Sequence, residues 1–201
     1  VCAVRTGCGK SQTSRKIVSI LKETGKKVVA IRHPMPYGDL AEQAVQRFAS
    51  YEDLDRHNCT IEEREEYEPY IDNGLVVYAG VDYEAIVRQA EKEADIIIWD
   101  GGNNDMSFIA PDLEITVLDP LRPGHERSYY PGETNFLTAD VLVINKYKQA
   151  SAEQLNIVLD NIKHFNPGAK VIKGASKLSV DDPAGVKGKS VLVVEDGPTL
   201  T

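Results

Sequence analysis

The sequence predicts an α/β fold in three layers, a mostly parallel sheet with helices on both faces. Three observations lead there. Short apolar runs rich in Val and Ile alternate with segments whose apolar residues recur every three or four positions. A glycine-rich run, Arg5-Thr6-Gly7-Cys8-Gly9-Lys10-Ser11-Gln12, joins the first apolar run to the first helical stripe. Clusters of unusual polar residues fall just after apolar runs, where sheets of this kind bind their ligands.

The elements follow in order. Residues 1–4 are apolar and short for a strand, and Ile17, Ile20 and Leu21 mark the helix after the glycine-rich run. Residues 27–32 read as a strand buried on both faces, since such strands lack polar alternation. Leu40, Ala41, Ala44, Val45 and Phe48 fall on one helical face and predict a helix. Residues 61–68 are so charged that a solvated helix is expected, ending before Pro69. A short strand at 75–78 precedes a helix marked by Tyr83, Ile86, Val87, Ala90 and Ala94. Strands are expected at 96–99, 113–118 and 141–144. A helix carrying Leu155, Val158, Leu159 and Ile162 follows, and strands at 171–172 and 191–194 close the series.

The glycine-rich run is a phosphate-binding loop. Its glycines let backbone N–H groups form a concave nest for phosphate oxygens at a helix N-terminus. Lys10 reaches the β- and γ-phosphates, and Ser11 and Asp100 are the expected Mg²⁺ ligands. Thr6, Gly7, Cys8, Gly9 and Gln12 complete the cradle. The full pattern wants a glycine at position 4, where this chain has Val4. The fold class is therefore a three-layer P-loop NTPase.

The chain has 201 residues, 42% of them hydrophobic, which suits one nucleotide-binding domain over residues 1–201. The short first strand and the truncated last one suggest that both ends are cut from a longer polypeptide, whose flanking regions would be partners of this domain. A net charge of −8 argues against nucleic-acid binding. Cys2, Cys8 and Cys59 are scattered and form neither a disulfide framework nor a zinc pattern. Cys8, within the phosphate loop, is read as a small loop residue, although the loop dipoles favour a thiolate there. There is no signal peptide and no membrane-length apolar run, so a cytoplasmic protein is expected. Self-association is left open.

Four clusters after strand ends carry the candidate chemistry. Asp100 ends the run 96–99, followed by Gly102, Asn103, Asn104 and Asp105 facing the phosphates. Arg32 and His33 follow the second strand, where Arg32 can grip an anion with two nitrogens. Arg122, His125 and Glu126 lie in a Pro/Gly-stiffened loop after 113–118. With Arg5, these groups suit a small anionic, phosphorylated substrate. Lys10, Asp100, Arg122 and His125 are the candidate catalytic residues, with His33, His125 or Glu126 handling a proton. Asn145 and Lys146 follow 141–144 and are expected against the base or ribose. A guanine-reading Asn-Lys-x-Asp motif would put a carboxylate at 148, and Lys148 stands there, so ATP is expected with GTP as the alternative.

Taken in order, CAVRTGCGKSQTSR (2–15), RHPMPYGDL (32–40), IIWDGGNND (97–105), DPLRPGHE (119–126), YYPGETN (129–135), ADVLVINK (139–146) and VEDGPTLT (194–201) resemble the cyclic 2,3-diphosphoglycerate synthetase family and its GTPase-like relatives. The resemblance implies an ATP- and Mg²⁺-dependent enzyme that closes an intramolecular phosphoanhydride in a small phosphorylated acid. It also implies a longer protein with regions on both sides of this domain. The alternative is a GTPase of the switch or metal-chaperone type. The missing carboxylate at 148 and the lack of a Cys/His cluster speak against it.

Overall fold

The computed structural model describes residues 1–35, 37–101, 106–177 and 179–192. Its strands are β1 (Cys2–Ala3), β2 (Val28–Arg32), β3 (Gln46–Phe48), β4 (Val76–Ala79), β5 (Ile96–Trp99), β6 (Ile115–Leu118), β7 (Val141–Ile144) and β8 (Lys170–Lys173). The helices are α1 (Lys10–Glu23), α2 (Tyr51–Arg56), α3 (Ile61–Asp72), α4 (Tyr83–Ala90), α5 (His125–Ser128), α6 (Gly132–Thr138), α7 (Ala152–Phe165) and α8 (Pro183–Val186).

Two four-stranded ladders form, in the orders β3-β4-β2-β5 and β1-β6-β7-β8. They meet beside the phosphate loop. The Val1 amine donates to the Trp99 carbonyl at 2.7 Å, and the Gly101 N–H donates to the Val1 carbonyl at 3.2 Å. These two bonds bring the start of β1 alongside the end of β5. Every pairing is parallel except that of β3 with β4.

Alternation along the strands decides which face each side chain meets. Val28 and Ala30 of β2 pack with Val18 of α1, Leu54 of α2 and Tyr67 and Tyr70 of α3. Val29 and Ile31 point the other way, onto Ile86 and Ala90 of α4 and onto Trp99. Phe136 of α6 and Val158 and Ile162 of α7 cover β6 and β7. The result is the α/β sheet flanked by helices that the sequence predicts. β8 is exposed along its length and carries a lysine at each end.

Three expectations are corrected. The helix expected around 40–48 is a turn followed by β3, whose Gln46 and Phe48 are buried and whose Arg47 is exposed. The period there is two. Gly80 makes room for this approach, since a Cβ at that position would lie 2.5 Å from the Ala44 carbonyl oxygen. α3 does not stop at Pro69 but runs through it to Asp72. Nor is it merely solvated, because Glu63, Tyr67 and Tyr70 are buried. Glu63 is inside because it closes a capping box with Thr60, and Tyr67 stacks on Phe48 with ring centroids 4.7 Å apart. The last expected strand is not formed at Val191 and Leu192, which are exposed, and its remainder lies outside the described residues. Among the described residues no helix is long and apolar enough to cross a membrane.

Candidate functional site

β1 ends, the loop turns, and α1 begins at Lys10. Gly7 and Gly9 carry the turn with φ of 84° and 92°, a region that side chains disfavour. Gly9 is the residue before the helix, so the unpaired N–H groups of the first turn of α1 open onto the loop's concave side. A Cβ at Gly9 would stand 2.3 Å from Asn145 Nδ2. The glycine is needed for its conformation and for its neighbour.

Val4, which occupies the place of the pattern's first glycine, is fully accommodated. It is buried, and its N–H continues the ladder to the Val117 carbonyl. The close approach is made by the partner instead, because a Cβ on Gly132 would come within 2.1 Å of the Val4 carbonyl oxygen. Cys8 is buried in the core under the loop, and burial pushes its thiol up to about 12. The thiolate reading is therefore set aside.

Asp100 follows β5 and is fully buried. Its Oδ1 accepts from Lys10 Nζ at 2.6 Å and from Ser14 Oγ at 2.8 Å. Its Oδ2 accepts from Tyr70 Oη at 2.6 Å and from Arg32 Nη1. The second terminal nitrogen of Arg32 pairs with Glu66 at 2.8 Å. Burial alone would raise the Asp100 carboxyl, but the Arg32 and Lys10 cations outweigh it and hold the carboxyl well below the usual range. Register explains the meeting. Ile31 pairs with Trp99, so Arg32 and Asp100 stand side by side, on the face covered by α1 and α3. Arg32 is thus engaged by carboxylates rather than turned toward a substrate, a correction to the expected role.

On the other side of the loop, Asn145 Nδ2 donates to the Cys8 carbonyl at 2.8 Å and Lys146 Nζ to the Gly7 carbonyl at 2.7 Å. Both were expected against the base or ribose. In this structure they hold the loop itself. Asp119, at the end of β6, lies 3.6 Å from both Arg5 Nη1 and Lys146 Nζ. Arg5 lies over the Tyr129 ring, and its Nε and Nη1 are buried with no hydrogen-bond partner among the described residues. His125 Nδ1 is in the same condition. Burial, then the nearby Arg5 and Arg122, lower the His125 pKa. Buried polar atoms without hydrogen bonds, set around the Tyr129 ring that Arg5 and His125 both contact, call for an anion or a water.

Glu126 does not join this group. It is buried, with Gly124 N–H at 3.0 Å on one oxygen and Asn161 Nδ2 at 2.7 Å on the other, and it fixes the 119–126 loop to α7. His33 Nδ1 lies 3.4 Å from the Pro34 carbonyl. Thr6 is exposed on the loop, and Ser11 and Gln12 lie in the first turn of α1. Gly102, Asn103 and Asn104 lie outside the described residues. Sequence reasoning missed Ser14, Tyr70 and Glu66. Ser14 had a signal, since it lies one turn after Lys10 on the same helix face.

The described residues contain no group of three or more His, Cys, Asp or Glu side chains that can hold a metal ion. The donors beside the loop, Asp100 and the Ser11 hydroxyl, are hard oxygens. They suit a cation that takes its other ligands from phosphates and water. Asp100 Oδ1 would be open to such a cation if Lys10 turned to the phosphates, with the Ser14 hydroxyl remaining on that oxygen.

A parallel sheet, a glycine loop running into a helix and a buried aspartate after the neighbouring strand define a phosphate-loop nucleotide-binding protein. The chain is 67% identical over all 201 residues to "Arginine synthetase ArcE" of Thermococcus kodakarensis. It spans 45% of that protein, less than half the length of the curated relative it matches. No protein-family model matches. Two solved structures align over 87% of the chain. HypB from Helicobacter pylori in complex with nickel has a TM-score of 0.49, 14% identity and 77% of its own length covered. Hydrogenase maturation factor HypB from Archaeoglobus fulgidus has a TM-score of 0.49, 18% identity and 80% covered.

Proposed function

We propose that this chain is the nucleotide-handling part of an ATP- and Mg²⁺-dependent synthetase. In this reading the triphosphate lies on residues 6–12, and its γ-phosphoryl group activates a small molecule whose anionic group is held by Arg5, Arg122 and His125. The observation that carries the reading is the pairing of Lys10 with Asp100 beside a loop shaped for phosphate. The loop N–H groups receive the phosphate oxygens, and Lys10 leaves Asp100 for the β/γ position. Asp100 Oδ1 and the Ser11 hydroxyl then face the space where Mg²⁺ would be held. When bound, Mg²⁺ would neutralise charge on the transferring phosphoryl group.

Arg5 supplies charge on the acceptor side, where its Nε and Nη1 make no hydrogen bond among the described residues and Asp119 lies 3.6 Å from Nη1. His125 is neutral near pH 7, because its pKa is lowered, so its ring can take up a proton. Glu126 is already committed to Gly124 and Asn161, which leaves His125 as the proton-handling group of that loop.

The name of the 67%-identical relative supports an arginine-forming reaction, in which the anionic group would be an amino-acid carboxylate. The ordered motifs support a second acceptor, a phosphorylated acid closed into a phosphoanhydride. Both reactions ask the same of the nucleotide side. Full-length protein, ATP and Mg²⁺ are incubated with amino-acid precursors of arginine and an ammonium source, or with 2,3-diphosphoglycerate, and ADP and products are measured. The expected result is ADP formation stimulated by an arginine precursor, with arginine appearing in step. Stimulation by 2,3-diphosphoglycerate alone would transfer the proposal to the phosphoanhydride. Hydrolysis of GTP in preference to ATP, with no acceptor effect, would replace the synthetase by the GTPase.

A further inference from the structure

We infer that Tyr70 is the residue that positions Asp100 for the cation accompanying the nucleotide, an assignment that rests on the nucleotide reading above. The two oxygens of Asp100 have different neighbours. Oδ1 is served from α1, by Lys10 and Ser14. Oδ2 is served from β2 and α3, by Arg32 and Tyr70.

The two sets differ in their freedom. Lys10 is an amine on a flexible stem beside the loop it would serve. Arg32 is buried, and its other terminal nitrogen is pinned by Glu66. The Tyr70 ring is locked in the core formed by α1, α2, α3 and the sheet. When Lys10 goes to the phosphates, Oδ1 keeps only the Ser14 hydroxyl and gains room for a further ligand, while both bonds to Oδ2 stay. A carboxylate held at one oxygen presents the other in a fixed direction, which a small cation with strict geometry requires.

Charge points the same way. Asp100 and Glu66 balance Lys10 and Arg32 while the four are together. Departure of Lys10 leaves the remaining cluster with one net negative charge, the sign a divalent cation needs. Tyr70 contributes a donor without a charge. It therefore steadies Oδ2 without cancelling that negative charge, as a second cation would.

A matched control stands one turn away. Tyr67 lies on the same helix and is equally buried, but its hydroxyl has no hydrogen-bond partner among the described residues. The test uses the full-length protein and follows binding of a fluorescent ATP analogue, first in EDTA and then across a Mg²⁺ titration. In Tyr70→Phe, affinity in EDTA is expected to stay within twofold of wild type. The Mg²⁺ concentration at half-maximal enhancement is expected to rise about tenfold, the effect of losing one hydrogen bond to a charged group. Tyr67→Phe is expected to leave both values unchanged. A Tyr70→Phe protein with the wild-type Mg²⁺ midpoint, or equal shifts in both variants, would overturn the assignment and leave the nucleotide reading intact. Failure of the wild type to bind the analogue at all would overturn both.

Discussion

Replacing Asp100 by Asn is the most informative perturbation, because four side chains converge on that carboxylate. The substitution keeps the shape and removes the charge. Arg32 then keeps Glu66 as its partner at 2.8 Å, but Lys10 loses its anion, and one of the four donors faces an amide N–H₂ instead of an oxygen. Removing one member of a buried ion pair costs about 3–5 kcal/mol. Glu66 still neutralises Arg32 and Lys10 can turn outward, so the lower end, about 3 kcal/mol, is expected. For a chain of this size that corresponds to a fall in Tm of about 6–12 °C. The assay is urea unfolding followed by circular dichroism and by the fluorescence of Trp99, the one tryptophan of the chain. Adding Lys10→Met to Asp100→Asn is expected to recover about 1 kcal/mol or more, because the stranded cation is removed. A loss below about 1 kcal/mol for Asp100→Asn, with no coupling to Lys10, would refute the claim that this buried charge is held by its partners.

Three further outcomes are expected. Lys10→Ala abolishes measurable binding of Mg²⁺–ATP by equilibrium titration while leaving the circular dichroism spectrum unchanged, and wild-type affinity in that variant would remove the phosphate-loop assignment. Gly132→Ala destabilises by about 2–3 kcal/mol, since its methyl group would meet the Val4 carbonyl oxygen at 2.1 Å, and calorimetry checks this. The Asp100 carboxyl is held below its ordinary value of 3.8, so its contribution to stability is complete above about pH 4 and is lost as pH falls below that. Urea midpoints measured down to about pH 3 should therefore fall more steeply for wild type than for Asp100→Asn.

What was legible in the sequence was local. The phosphate loop needs contiguous residues, so Gly7, Gly9, Lys10 and the following helix declare it. Asp100 is legible as the acidic end of an apolar strand. Arg32 was recognised as important but given the wrong partner, because its place beside Asp100 depends on β2 pairing with β5, whose register pair Ile31 and Trp99 is 68 residues apart in the chain. Tyr70 was hidden behind a run of glutamates and a proline that reads as a stop. Its helix continues because Tyr67 and Tyr70 find a core there, and packing overrides the lost backbone donor at Pro69. β3 was misread because Leu40, Ala41, Ala44, Val45 and Phe48 satisfy helical spacing, while the Gln46 to Phe48 alternation that wins is only three residues long. The bonds of Asn145 and Lys146 to the loop were missed for a different reason. Their partners in the loop are backbone carbonyls, which a sequence does not display.

Those two bonds, from Asn145 to the Cys8 carbonyl and from Lys146 to the Gly7 carbonyl, bear on affinity before any ligand arrives. Fixing the backbone of a flexible loop on binding costs about 1–2 kcal/mol per residue in conformational entropy. Here the end of β7 restrains that stretch during folding, so a triphosphate meets a surface already ordered. Association then draws less on its own contact energy to organise the receptor, which is the advantage of preorganisation.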